Sequence, residues 1–531
     1  MRLTCMGAAR TVTGSSYLIE MDDERCFLVD CGLFQGSAQL ERRNWIAGPY
    51  RVPDLSAIFI THAHIDHSGL VPRLVRGGYS GPIFASKPTC ELLKILWLDS
   101  ANIQQMEADW QSRKNRRQGK NDLEPLYEVA DAEAAITLLR PIELDCHEEL
   151  LPGVRVCYVQ AGHILGAASL HLTLTGENGV HRVGFSGDLG RPNQLIVPDP
   201  GKMDSVDTLF METTYGGRTH KSLPESVDEL LDVVKQAYQE GGKVLIPAFA
   251  VERTQEIIYI LAAAHRRGEL PDDLPVFLDS PLAINATRIF RDHPEYFDEQ
   301  TKEILANGDT PLNFPNLKFT TTSEESQNIN RYMGPAIIIA GSGMANAGRI
   351  KHHLKHNLWR PNCHVVIVGF QAKNTTGRLL VEGAPKVKIF REDVVVRAKV
   401  HTINGFSAHA DQNELLAWMA PLMHRGVKVN LIHGEEEQSV TFKALAQARF
   451  PMVRFHIPRW NEVLELGARP VELAKVEPAE LAAEVRQLSS RLAQLAERLS
   501  VPGSGLAPED ATALLKALKA ANQAASLGEA A

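Results

Sequence analysis

Residues 61–69, THAHIDHSG, place His62, His64, Asp66 and His67 in one short loop directly after an apolar run. Imidazole and carboxylate are the donors zinc prefers where thiolates are absent. A loop that is not a regular helix lets these side chains diverge toward two metal positions. One histidine in such a place is more often a hydrogen-bonded core or surface residue; three with an aspartate at this spacing point to a metal site. QAGHILGAA (160–168) adds His163, FSGDLG (185–190) adds Asp188, and LIHGE (431–435) adds His433. The two oxygens of Asp188 could bridge two metals. Each of these motifs is weak alone, but each stands at a strand end beside glycine, as ligands on loops above a sheet do.

The elements that must position these groups follow from periodicity. Up to about Glu212 the chain alternates short β-rich runs with loops: 26–30, 57–60, 154–159, 170–174 and 207–212 read as strands, 88–112 and 131–139 as helices. From about Gly217 the texture changes. Residues 223–239 form a helix opened by proline and acidic residues. Strands at 243–247, 275–278, 336–340 and 365–368 are nearly continuous in apolar residues, with a helix at 252–264, which predicts a parallel sheet covered on both faces. After about 395 short strands return, 427–432 among them. Because both outer pieces carry candidate ligands, the middle is an insertion. The expected fold class is α/β: a first domain split as 1–216 and 395–466, an inserted α/β domain at 217–394, and a helical tail at 467–531. In the tail, Leu481, Val485, Leu488, Leu492, Leu495 and Leu499 repeat at heptad spacing. That stripe suits either a hairpin packed on the body or a self-association helix, and the second carries the expectation of a homodimer.

Composition narrows the class. A chain of 531 residues, 44% hydrophobic and 23% charged, is expected to be a globular protein of two or three domains. It shows no apolar run long enough to span a bilayer, and its first residues lack the apolar core of a secretory signal, so no membrane partner is expected. A net charge of −8 argues against a passive nucleic-acid coat protein, while leaving room for a local basic groove beside metal ions. Seven cysteines without CxxC spacing suggest reduced thiols and a cytoplasmic home. The clearest basic cluster, RKNRRQGK (113–120), is expected on a loop near the active face, either guiding a polyanion or simply solvated. His352, His353 and His356 share a helical stretch, where a polar face is the simpler reading than a metal site.

Taken together, HxHxDH with His163, Asp188 and a late His433 resembles the metallo-β-lactamase superfamily. METTYG (211–216), GFSAHAD (405–411) and LIHGE resemble motifs A, B and C of its β-CASP subgroup, and the inserted segment fits that group's cap. The resemblance runs from residue 1 to about 466 and leaves the tail outside. It implies a metallo-β-lactamase αββα sandwich with an inserted β-CASP cap, and a hydrolase of RNA phosphodiester bonds that uses two zinc ions per chain. His62, His64 and His163 would hold one ion, Asp66, His67 and His433 the other, with Asp188 between them. Asp30, in LVDCG, resembles the early aspartate that supports the metal loop from behind the ligands. The catalytic roles implied are Asp66 orienting the nucleophile and His409 of motif B as general acid. Glu212 of motif A would orient His409 and favour its charged form. Nothing in that scheme needs a 2′-hydroxyl, so preference for RNA would come from groove shape and contacts.

AGSGMANAGR (340–349) resembles the cap loop that holds RNA phosphates, which names Ser342, Gly343, Met344 and Arg349 as substrate contacts. FAVERTQE (249–256) resembles a cap motif whose arginine, here Arg253, faces the cleft; it departs from the family pattern at Glu252, where glycine is common. GFQAKNTTGR (369–378) resembles another, with Lys373 as a phosphate contact. The expected partner is single-stranded RNA, cut internally, with 5′ exonuclease activity as a further option. Among alternatives on the same fold, the cap and motif A argue against small-ester hydrolases, and a histidine at 433 argues against the DNA-nuclease branch, where valine is usual. A catalytically silent RNA-binding subunit fits poorly with seven filled ligand positions.

Overall fold

The apolar strands of the two outer pieces pair into two seven-stranded sheets. The structure is a computed structural model and describes residues 1–467 apart from Asn178 and Lys373. The heptad stripe and the rest of the expected helical tail therefore lie outside the described residues, as does Lys373. In the first sheet the order is Glu462–Glu465, Arg2–Cys5, Ser16–Glu20, Cys26–Cys31, Leu55–Phe59, Ile83–Ser86 and Leu139–Ile142. In the second it is Arg454–His456, Lys428–Ile432, Thr208–Glu212, Gly179–Phe185, Ala168–Gly176, Val154–Gln160 and His147–Leu151. Each sheet thus takes strands from both sides of the insertion, as a split domain requires.

The sheets pack through alternating inward residues, among them Tyr17, Phe27, Phe59, Val156, Leu172, Phe185 and Phe210. The Tyr17 ring of the first sheet lies 5.3 Å from Phe185 of the second, which stacks on Phe210 at 4.8 Å. Helices cover the outer faces; the longest, Lys87–Arg116, begins at an N-cap where Ser86 accepts the Thr89 N–H. That helix extends through Arg116, so the first residues of the basic cluster stand on its last turn and not on a loop as expected.

Strand direction decides where the ligands gather. Val154–Gln160, Gly179–Phe185, Thr208–Glu212 and Lys428–Ile432 all run the same way, because the first two are each antiparallel to Ala168–Gly176 and the rest pair in parallel. Cys26–Cys31 and Leu55–Phe59 are likewise parallel in the first sheet. The loops carrying His163, Asp188, His433 and the 61–69 histidines therefore leave from strand ends that share an edge.

The inserted segment forms a six-stranded, all-parallel sheet in the order Leu317–Phe319, Val276–Leu278, Ala336–Ala340, Lys243–Pro247, His364–Ile367 and Lys399–Thr402. The last strand lies beyond the expected boundary at 395. Its pairing with His364–Ile367 keeps the chain in the inserted sheet until Thr402, a long-range choice that local texture does not reveal. A small hairpin, Lys386–Ile389 with Glu392–Val395, stands apart from this sheet.

Candidate active site

The loop after Leu55–Phe59 is held from below. Asp30, at φ +57, accepts the Thr61 N–H at 2.8 Å and meets His67 Nδ1 at 2.7 Å. Fixing Nδ1 in this way leaves His67 Nε2 free to face the cluster. Asp30 thus ties Thr61 and His67 together from the end of Cys26–Cys31. Sequence reasoning missed Thr61, whose hydroxyl bonds the same carboxylate at 2.9 Å.

Two donor sets converge. In each, the ligand atoms lie within 4.8 Å of one another: His62, His64, His163 and Asp188 in one, Asp66, His67 and His433 in the other. Asp188 touches both, with Oδ2 at 3.7 Å from His62 Nε2 and Oδ1 at 3.1 Å from His433 Nδ1. Imidazole nitrogens face each other across the cluster: His62 Nε2 and His64 Nδ1 at 3.1 Å, His67 Nε2 and His433 Nε2 at 3.1 Å. Asp188 Oδ1 is buried with no hydrogen-bond partner. A cluster of buried imidazoles around an orphaned buried carboxylate oxygen suits a cation among them, so the donor set fits divalent metal.

The electrostatics agree. Burial lowers the pKa of His62, His64 and His163, toward the neutral form that ligates, whereas for His67 burial is outweighed by Asp188 and Asp30, which raise its pKa. Burial opposes charge on Asp66 too, but His433 and His67 bring its carboxyl down to about 2. Glu212 of METTYG and His409 of GFSAHAD lie beside the cluster. His409 Nδ1 lies 3.5 Å from Glu212 Oε1 and 3.9 Å from Asp188 Oδ2. Burial works against charge on His409, yet Glu212, helped by Asp188 and Asp66, raises its pKa above 6.5. Glu212 is wholly buried and is fixed by the N–H groups of Leu189 at 2.7 Å and Thr214 at 3.1 Å. Three further neighbours went unread. Thr214 Oγ1 lies 3.1 Å from His433 Nδ1, His220 Nε2 lies 3.1 Å from the His409 carbonyl, and the Tyr215 ring is 4.6 Å from that of His220. Their position inside and just after METTYG is the signal that could have found them.

The cap loop leaves the carboxyl end of Ala336–Ala340. That end shares an edge with the end of Lys399–Thr402, from which the chain runs on to His409. The Phe249 ring crowds Gly343 so closely that a Cβ would meet it at 2.9 Å. Gln371 Nε2 donates to the Gly343 carbonyl, Met344 Sδ accepts the Ala372 N–H, and Ser342 Oγ accepts the Ala347 N–H at 3.2 Å. The two arginines sit differently from expectation. Arg349 Nη1 donates to the buried Asp279 at 2.7 Å, and its other donors meet the Thr320 and Thr321 carbonyls. Arg253 is buried and paired with Glu256. His353 is likewise buried, with Nε2 on Asp279 at 2.6 Å.

Comparison with known proteins agrees with this geometry. Residues 9–85 match the metallo-β-lactamase superfamily, 254–380 the β-CASP domain, and 393–458 the Zn-dependent metallo-hydrolase RNA specificity domain. The chain is 37% identical over 450 residues to Ribonuclease TTHA0252 of Thermus thermophilus, covering 85% of this chain and 96% of that one. It is 34% identical over 471 residues to Transcription termination factor FttA of Thermococcus kodakarensis, covering 85% and 69%. To the factor of the same name from Methanocaldococcus jannaschii it is 30% identical over 452 residues, covering 83% and 68%. The chain belongs to the β-CASP metallo-β-lactamase family of metal-dependent ribonucleases.

Proposed function

We propose that this chain hydrolyses phosphodiester bonds in single-stranded RNA with two zinc ions, cutting internally and able to proceed from a 5′ end. The observation that carries the reading is Asp188, whose two oxygens face two separate donor sets beside His409. His62, His64, His163 and Asp188 would hold one ion; Asp66, His67, His433 and Asp188 the other. When bound, the ions supply Lewis acidity, lowering the pKa of a water and neutralising phosphate charge. The chain's residues do the rest. Asp66 orients the attacking water. His409, kept protonated by Glu212, delivers its proton to the leaving 3′ oxygen. Ser342, Gly343 and Met344 supply the cap loop that positions a phosphate, Lys373 adds a phosphate contact by resemblance, and Arg253 acts through its pair with Glu256. All seven cysteines are free, six of them buried, which suits a reducing cytoplasm. Among the described residues no helix is long and apolar enough to cross a membrane. The heptad stripe would add self-association; a monomeric sedimentation mass at micromolar concentration would remove that part.

The test is cleavage of labelled single-stranded RNA by zinc-loaded protein, beside Asp66→Ala and a matched DNA. RNA cut by wild type and not by the variant, with DNA left whole, supports the reading. Two bound zincs with neither polymer cut would overturn it.

A further inference from the structure

The helix Lys87–Arg116 reaches away from the metal loops while being anchored to them. Its N-cap Ser86 and its Thr89 both donate to the Gly166 carbonyl, in the loop that carries His163. Trp97 donates its indole N–H to the Ser68 carbonyl, next to His67. Trp110 lies about 20 Å further along the axis at 1.5 Å per residue. Ile103, Met106 and Trp110, at helical spacing, are 47%, 71% and 49% exposed. Arg113, Lys114 and Arg117 continue that stripe three, four and seven residues on.

The inserted domain meets this stripe. Arg391 Cζ stands 5.9 Å from the Trp110 ring centre, and Lys114 Nζ stands 5.6 Å from it. Arg391 and Phe390 form the two-residue tip of the Lys386–Ile389 and Glu392–Val395 hairpin. Both have positive φ, 68° and 49°, where such turns ordinarily use asparagine, aspartate or glycine. Two bulky side chains are therefore kept at the tip against the turn's own preference. Phe390 is 43% exposed, with Lys351 Nζ 4.7 Å from its ring. Arg116 and Lys355 are paired with Asp122 and Glu392, but Arg113, Lys114, Arg117, Lys351 and Arg391 have no carboxylate partner among the described residues.

Exposed aromatic rings with cations set on them, on a chain of net charge −8, complement a flexible polyanion that also carries π-faces. We propose that this surface is a remote track for single-stranded RNA, with Trp110 and Phe390 as base-stacking platforms and Arg391, Lys114, Arg113 and Arg117 on the phosphates. The inference rests on the ribonuclease reading above and adds where the rest of the strand lies. Because the helix fixes the platform well away from the metal loops, only long RNAs reach both.

The test compares zinc-loaded wild type with Trp110→Ala, Trp110→Phe and Arg391→Ala on fluorescein-labelled oligouridylates of about 30 and about 4 nucleotides, spanning the usual range of strand site sizes. The ratio of kcat/KM for the long to the short strand should fall about tenfold in Trp110→Ala, the loss of one stack, and should fall also in Arg391→Ala, which loses a phosphate contact. Trp110→Phe should keep most of that ratio, and Arg113→Ala should make long-strand binding less steep in salt. A wild-type ratio in both alanine variants overturns the track and leaves the face to a protein partner. If wild type cuts neither strand yet hydrolyses bis(p-nitrophenyl) phosphate, the ribonuclease reading itself has failed, and the track falls with it.

Discussion

Glu252 of the inserted domain accepts the backbone N–H of Leu165 at 3.2 Å, tying the cap to the loop that carries His163. It does so at φ +70°, where L side chains are strained and glycine is not. This is the position at which the sequence departs from the family's usual glycine. Its second oxygen is buried without a partner. The chain thus keeps a strained, half-satisfied carboxyl, and the tie to the metal loop is what it gains.

Burial, reinforced by Glu256, pushes the Glu252 carboxyl well above 4.5 against the pull of Arg253. Glu256 is raised too, by burial, against Arg253, Gln194 and Arg191. A native carboxyl that stays neutral above its unfolded pKa gives most stability below about pH 4.3 and loses it as pH climbs toward the native value. Glu252→Gln keeps an acceptor oxygen and removes this titration. Thermal unfolding should show the variant losing less stability between about pH 5 and 8 than wild type. Equal losses would mean that the native Glu252 is already charged.

His409→Ala should lower single-turnover cleavage of RNA by about 10²–10⁴-fold, the span of a lost general acid, while RNA affinity by anisotropy stays near wild type. Glu212→Gln should slow cleavage less, since its one amide oxygen still accepts either the Leu189 or the Thr214 N–H, while the other N–H loses its acceptor. Glu212→Ala strands those buried donors and should also lower the melting temperature. Cleavage by His409→Ala at the wild-type rate would take the proton-donor role from His409.

Local pattern was enough for much of this. The strand and helix runs, the 61–69 loop and the isolated His163, Asp188 and His433 were legible because each is a short motif at an element's end. Choices made by distant partners were not. Nothing near Arg349 in sequence announces that Asp279 will occupy its guanidinium, nor that His353 will share that carboxylate. The edge strand Lys399–Thr402 is assigned by its neighbour His364–Ile367, not by its own residues. The glycine-rich cap loop was readable as a loop, while the state of its flanking cations depended on side chains from other elements.

Asp279 is fully buried and receives Arg349, His353, Thr320 and Ser326. Burial works against its charge, yet those four partners hold the carboxyl far below 3.8. A depressed native pKa gives stability that is complete above the unfolded value and is lost as pH falls through the native one, so the cap should weaken below about pH 4. Asp279→Ala should cost about 3–5 kcal/mol, the cost of breaking a buried ion pair from one side. Arg349→Ala should lower the melting temperature in the same direction. A raised KM for RNA with an unchanged melting temperature would instead show Arg349 acting on phosphate.

Metal removal should be visible without any substrate. Asp188 Oδ1 has no hydrogen-bond partner within the protein, so emptying the site leaves a buried carboxylate oxygen unpaired. A ligand that binds only the folded chain adds about 2.7 kcal/mol at a hundredfold excess over its Kd. Chelation should therefore lower the melting temperature of wild type by several degrees, and zinc should restore it with two equivalents bound. Asp188→Ala, which removes the carboxylate common to both donor sets, should respond weakly to either treatment. Full restoration of wild type by a single equivalent would replace the two-ion site with one, and a melting temperature indifferent to chelation would remove structural metal from the site altogether.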